Sequence, residues 1–157
     1  MTLTARLWMI LAAAGSAALM LGALAFQHIG GMAPCELCLW QRYPHVAAIA
    51  LGVMAAVAVL PVRIVAALGA LAALSTAAIG AYHTGVERGW WDGPAACSST
   101  GVAGQSAQDL FAQIMAAPLV RCDEVPWEML GLSMASWNAV ASVVLAGLWL
   151  MAWRRAG

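Results

Sequence analysis

Four runs of the chain, Leu7–Phe26, Tyr43–Val62, Ile64–Tyr82 and Met134–Trp153, contain no acid and no arginine. A helix needs about 20 residues to cross a hydrocarbon layer of roughly 30 Å, and each run supplies that length. Lipid offers no partner to an open peptide group, so runs of this kind cross as helices. The expected fold is all-α: a polytopic membrane protein forming an antiparallel four-transmembrane-helix bundle, a single integral membrane domain over 1–157. Composition agrees, with 64% hydrophobic and 9% charged residues, where a soluble domain carries about 25% charged. Net charge is zero and lysine is absent, so nothing suggests nucleic-acid binding and no such partner is expected. The lipid bilayer is the expected surroundings. Eight tryptophans outnumber the other aromatics, and Trp8, Trp40, Trp90, Trp91, Trp149 and Trp153 fall where an interfacial belt is expected.

Four crossings put both termini on one side. Pro61-Val62-Arg63 leaves almost no loop, so the second and third spans form a tight hairpin. Small-xxx-small pairs at Ala18/Gly22, Gly52/Ala56 and Gly69/Ala73 suit close helix approach in lipid. Arg6, Arg63, Arg154 and Arg155 lie on the side of the termini; Arg42, Arg88, Arg121 and all seven acids lie on the other. The basic count favours cytoplasmic termini weakly. Arg6 followed by an apolar run and Ala23-Leu24-Ala25 imitates a cleavable export signal, but the run exceeds the usual signal core, and an uncleaved span is expected.

The outer loops then cover about 27–42 and 83–133. Within the second, Ala107, Leu110, Phe111, Ile114 and Met115 recur at helical spacing opposite Gln105, Gln108, Asp109 and Gln113. They predict a short amphipathic surface helix, laid either on the membrane or on the bundle. Gly101, Gly104 and Pro118 flank it and would let neighbouring segments move.

All four cysteines fall in these two loops. Cys35-Glu-Leu-Cys38 holds two sulfurs close enough to cycle between dithiol and disulfide, a spacing that often favours one thiolate. Leu39 stands where a c-type haem site needs histidine. A zinc site would need Cys97 and Cys122 as further ligands, and their 25-residue separation does not resemble a zinc knuckle, so no metal is expected. His28, His45 and His83 near one face suggest a b-type haem, a proposal that leaves every cysteine unused. Cys97 and Cys122 can close a stabilising loop, yet the small residues around Cys97 suit an accessible, exchanging sulfur. Disulfides persist in an oxidising compartment, which places both pairs on the outer face. Arg42, one turn beyond Cys38 at the membrane boundary, is a candidate for binding an electron acceptor, and His83 at the same face is a second. The competing possibility is a membrane protein whose two disulfides merely staple its outer loops.

Pro34-Cys35-Glu36-Leu37-Cys38-Leu39-Trp40-Gln41-Arg42-Tyr43-Pro44, Tyr82-His83-Thr84-Gly85-Val86-Glu87, Cys97, and Cys122-Asp123-Glu124-Val125-Pro126-Trp127 with Leu130-Gly131-Leu132-Ser133-Met134 and Trp137-Asn138 together resemble the disulfide bond formation protein B family. The resemblance spans essentially the whole chain. It separates the chain from the vitamin K epoxide reductase scaffold, where the loop cysteines precede the Cys-x-x-Cys. It implies a thiol oxidase of the bacterial inner membrane, with cytoplasmic termini and periplasmic cysteines. The implied partner is a periplasmic thioredoxin-like DsbA-type oxidase, and the implied acceptor is ubiquinone or menaquinone. It further implies attack by the partner on Cys97 of a Cys97–Cys122 disulfide. Electrons would pass from Cys122 to Cys35 and Cys38, with Cys38 and Arg42 at the quinone and His83 nearby.

Overall fold

The computed structural model describes residues 3–57, 61–94, 97, 106, 108, 111, 115 and 120–156. Four long helices carry the fold: α1 (Leu3–His28), α2 (Glu36–Ala56), α3 (Val62–Glu87) and α4 (Met134–Arg155). α1 packs on α2 and α4, α3 packs on the same two, and α1 and α3 barely touch, so the four make a ring with two diagonals. The chain is an all-α membrane protein. α1, α3 and α4 are each long and apolar enough to cross a membrane. α2 differs because Glu36, Gln41, Arg42 and His45 make its first half polar, although it stands between α1 and α3 in the ring.

The helices begin and end elsewhere than the uncharged runs suggested. α2 starts at Glu36, because the Cys35 sulfur accepts the Cys38 amide at 3.2 Å and caps the helix. α3 continues through His83 to Glu87, whose carboxylate is met by the Ser133 hydroxyl. Charge ended the expected spans; local partners carry the helices past it. At the other end α2 stops at Ala56, short of Pro61, and residues 58–60 of the expected hairpin lie outside the described residues. Pro44 stands inside α2, where it removes an amide donor. One turn away the Thr76 hydroxyl from α3 reaches in to bond the Gln41 carbonyl at 3.1 Å.

Ala12, Ala13, Ala48, Ala66, Ala70, Ala73, Ala146 and Ala152 dominate the core around Met9, Val65, Leu145 and Trp149. Of the expected close-approach pairs, Gly52 fits: an added Cβ would collide with the Ala13 Cβ of α1. Gly69 instead makes room for the Trp149 indole, and Gly22 meets nothing within 4 Å among the described residues. Trp149 is therefore a core residue, 0% exposed, and no part of an interfacial belt. Trp8 and Trp153 lie near helix ends, with the guanidinium groups of Arg155 and Arg63 at 6.0 and 5.2 Å from their ring centres. Gly52→Val is expected to destabilise the bundle by about 2 kcal/mol through overpacking, while Gly22→Ala leaves it unchanged; thermal unfolding in detergent measures both.

Before α4 the chain makes an unexpected hairpin, β1 (Glu128–Met129) and β2 (Leu132–Ser133), antiparallel with Glu128 opposite Ser133. Leu130 and Gly131 turn it with φ of 55° and 74°, the left-handed pair that a two-residue hairpin requires. Ser133 then caps α4, accepting the Ser136 amide at 3.2 Å. The surface helix expected over Ala107–Met115 lies outside the described residues except for Gln108, Phe111 and Met115, all exposed and helical. Gly101, Gly104 and Pro118 also lie outside them.

Candidate functional site

The two cysteine pairs, far apart in sequence, meet over the α2 N-terminus. Cys97 and Cys122 form a disulfide across 25 residues, with Cα atoms 4.9 Å apart. Cys35 and Cys38 are free thiols. Cys35, Leu37, Val86, Cys97 and Cys122 make one buried apolar cluster with Cys38 and Val120 on its edge. Within it the Cys35 sulfur, the His83 imidazole and the Cys122 sulfur all lie within 4.8 Å of one another. Cys122 spends its sulfur on the disulfide, so this trio offers a metal only two ligands in the state seen. The accessible setting expected for Cys97 is not found: Cys97 and Cys122 are both 0% exposed. Packing against Val86 and Leu37 explains the difference, and residues 95, 96 and 98–100 beside Cys97 lie outside the described ones.

The helix cap polarises the dithiol. The Cys35 thiol donates to the Cys38 sulfur at 2.8 Å. Sharing that proton, and then burial, hold the Cys35 thiol well above the usual thiol range. Negative charge therefore settles on Cys38, in the first helical turn, where the helix dipole favours it. Arg121 clamps the far side of the disulfide by bonding the Asp123 carboxylate through Nε at 2.8 Å. That guanidinium holds the Asp123 carboxyl below the usual carboxylate range.

Below the sulfurs, a chain of polar side chains crosses the bundle, and its donors and acceptors can be assigned from the backbone outward. Gln41 Nε2 donates to the Leu37 carbonyl at 3.1 Å, which fixes the Gln41 amide. Its other contact, 3.0 Å to His83 Nδ1, then makes that nitrogen the acceptor. The His83 proton sits on Nε2, 3.6 Å from the Cys35 sulfur and 3.9 Å from the Glu87 carboxylate. Gln41 Oε1 accepts from Asn138 Nδ2 at 2.8 Å, leaving Asn138 Oδ1 to accept from His45 Nε2 at 2.8 Å. Thr76 gives its proton to the Gln41 carbonyl, and its oxygen faces Asn138 Nδ2 at 3.1 Å and His45 Nε2 at 3.3 Å. Polar side chains inside a membrane bundle are costly and mark function by default.

Gln41, His45, His83, Glu87 and Asn138 border a cavity of about 320 Å³ walled by all four helices and also lined by Phe26, Trp127 and Trp137. Cys35, Cys38, Arg42, His45 and His83 all face it. Arg42 donates through Nη1 to Gln27 Oε1 of α1 at 2.6 Å. The volume and largely apolar lining suit a single-ring head group. Of the sequence candidates, Cys35, Cys38, Arg42 and His83 thus share one cavity, and the Cys97–Cys122 disulfide packs behind Cys35 rather than in its wall. Gln27, Thr76, Glu87 and Asn138 were not singled out as site residues. An uncharged amide or hydroxyl gives no signal until the helix facing it is known, and Glu87 stood out only as one of the seven outer-face acids. His45 was weighed only as a haem ligand; it and His83 are instead held in the amide chain, while His28 lies exposed at the end of α1.

A helix bundle with a buried disulfide set against a free Cys-x-x-Cys defines a membrane thiol–disulfide protein. The sequence profile described as "Disulfide bond formation protein DsbB" matches residues 5–152, and the chain belongs to that family. It is 31% identical over 152 residues to disulfide bond formation protein B of Azoarcus sp. (strain BH72), covering 88% of this chain and 87% of that protein. To the protein of the same name from Stutzerimonas stutzeri (strain A1501) it is 30% identical, with 87% of each chain covered. An uncharacterized protein of Rickettsia prowazekii (strain Madrid E) is 27% identical over 121 residues, 76% of this chain and 70% of that one. No solved structure matches the chain. The protein is a membrane disulfide bond formation protein, and its family makes it a disulfide-forming oxidoreductase.

Proposed function

We propose that the chain is a protein-dithiol:quinone oxidoreductase of the bacterial inner membrane, spanning it four times with cytoplasmic termini and periplasmic cysteines. It oxidises a DsbA-type thioredoxin-like partner and hands the electrons to ubiquinone or menaquinone. The observation that carries this is the placement of Cys122 within 4.8 Å of Cys35, whose partner Cys38 borders the cavity. A staple has no use for a free dithiol at that distance; a relay requires it.

In this scheme a thiolate of the reduced partner attacks Cys97, forming a mixed disulfide and releasing Cys122 as thiolate. The partner's second thiol closes its own disulfide and frees Cys97. Cys122 then attacks Cys35 of an oxidised Cys35–Cys38 pair, with Cys38 as leaving thiolate at the cavity wall. Cys97 resolves the Cys122–Cys35 bond, restoring the loop disulfide and leaving the Cys35/Cys38 dithiol, which is the state described above. That dithiol gives up two electrons and two protons and returns to the disulfide. The quinone receives both as its two ring oxygens become hydroxyls.

Purified protein in detergent, given a reduced thioredoxin-like dithiol and a short-chain quinone, is expected to bleach the quinone absorbance catalytically. One partner disulfide should form per quinone consumed. Partner oxidation that proceeds without quinone loss would overturn the acceptor, and no oxidation at all would return the cysteines to a stapling role.

A further inference from the structure

We propose that His45 is a second polar contact for the quinone, formed with its reduced, hydroxyl-bearing state. The inference rests on the quinone acceptor above and adds a residue to its site. Cys38, Arg42 and His45 follow one another at helical spacing of four and three residues along one face of α2. All three line the cavity. At 1.5 Å per residue, His45 lies about 4.5 Å deeper along the helix than Arg42. On that axial spacing, a ring with one oxygen near Cys38 and Arg42 would carry its opposite oxygen to the level of His45.

The chemistry of that contact is set by the amide chain. Leu37, Gln41 and Asn138 leave Asn138 Oδ1 as an acceptor, so the His45 proton sits on Nε2. Nδ1 then carries a bare lone pair. It is buried and has no hydrogen-bond partner among the described residues, and the His45 side chain is itself buried. An acceptor left unsatisfied in a bundle core is expensive, and a donor on a ligand pressed against the His45 wall of the cavity, with a small turn of the imidazole, would satisfy it. A quinone carbonyl is another acceptor and gains nothing from this lone pair. Once two electrons and two protons have left the Cys35/Cys38 dithiol for the ring, the same oxygen is a hydroxyl and donates to Nδ1. His45 takes no proton in this step; it is the acceptor for a hydrogen bond that only the product can make. The site therefore holds hydroquinone more tightly than quinone through this residue.

Quenching of tryptophan fluorescence reads the binding directly, since Trp127 and Trp137 line the cavity. A short-chain quinone is titrated into fully oxidised full-length protein, and its hydroquinone into fully reduced protein without oxygen, so neither reacts. His45→Leu is expected to weaken hydroquinone binding about tenfold, the value of one lost hydrogen bond, and to leave quinone binding nearly unchanged. Quinone binding by His45→Leu also shows that this variant folds. His45→Gln, which restores an acceptor, is expected to recover most of the hydroquinone affinity. Equal weakening of both forms in His45→Leu, or weakening of neither, overturns the contact while the quinone site stands. Native protein that binds neither form overturns the quinone acceptor itself.

Discussion

Replacing Cys97 by serine is expected to abolish oxidation of the protein partner, with turnover below about 1% of native, while small dithiols still drive quinone reduction through Cys35 and Cys38. Exchange proceeds only by in-line attack of a thiolate on a disulfide sulfur. Without Cys97 there is no disulfide at Cys122 for a partner to attack. The Cys35/Cys38 pair is untouched by the change, and Cys38 remains at the cavity wall, so it can still cycle with a reagent small enough to reach it. The same variant leaves Cys122 as a free thiol near Cys35, and an inter-pair disulfide between those two should accumulate when the acceptor is present. Non-reducing electrophoresis of peptides containing Cys35 and Cys122 measures that trap, and a coupled partner assay measures the turnover. Partner oxidation at the native rate in Cys97→Ser would reduce the loop disulfide to a cross-link.

The burial of Cys97 adds a condition to this scheme. A partner thiolate cannot reach a sulfur that is 0% exposed, so the attacked state must differ from the one described, by displacement of the loop from the cluster around Leu37 and Val86. Small residues around Cys97 pointed to access, but whether a sulfur is covered depends on what folds over it. Here that is the N-terminal turn of α2 and the end of α3, contributed by distant parts of the chain.

The cysteine pairs, Arg42 and His83 were legible because each stands out locally: a two-residue spacing between sulfurs, a charge at the edge of an apolar run, a histidine at a span end. The helices were legible for the same reason, since hydrocarbon thickness sets their length and apolar runs reveal it. Their ends were not. Ending each span at the first charged residue assumes that charge and helix exclude one another. Cys35 capping α2 and Ser133 meeting Glu87 show local bonds carrying helices past ionisable side chains. Trp149 was among the tryptophans expected in an interfacial belt, yet Gly69 on α3 makes a seat for its indole. The chain from His45 through Asn138 and Gln41 to His83 was beyond reach for a similar reason. It joins α2, α3 and α4 through neutral groups, and only the rotation of each helix about its axis brings them together.

The second large effect belongs to Arg42. Arg42→Ala is expected to slow quinone reduction about a hundredfold, with partner exchange at Cys97–Cys122 still complete in a single turnover. Arg42 borders the same cavity as Cys38, one helical turn away, and its Nη1 bond to Gln27 ties the guanidinium to α1. In the proposed reaction a donor held in this way would face the negative charge growing on the acceptor oxygen, and its positive charge also favours the Cys38 thiolate. Loss of one such preorganised donor in a water-poor site costs about 3 kcal/mol, which is the hundredfold. Arg42→Lys should recover only part of it. An ammonium keeps the charge but has no planar fork to satisfy Gln27 and the acceptor together. Gln27→Ala, which frees the guanidinium without removing it, should fall between native and Arg42→Ala if position matters as much as charge. Steady-state quinone absorbance measures all three variants, and a quinone-free mixed-disulfide trap reports the exchange half. Native quinone kinetics in Arg42→Ala would make Arg42 an anchor for the α1–α2 contact and leave the stabilisation of the reduced oxygen to other groups around the cavity.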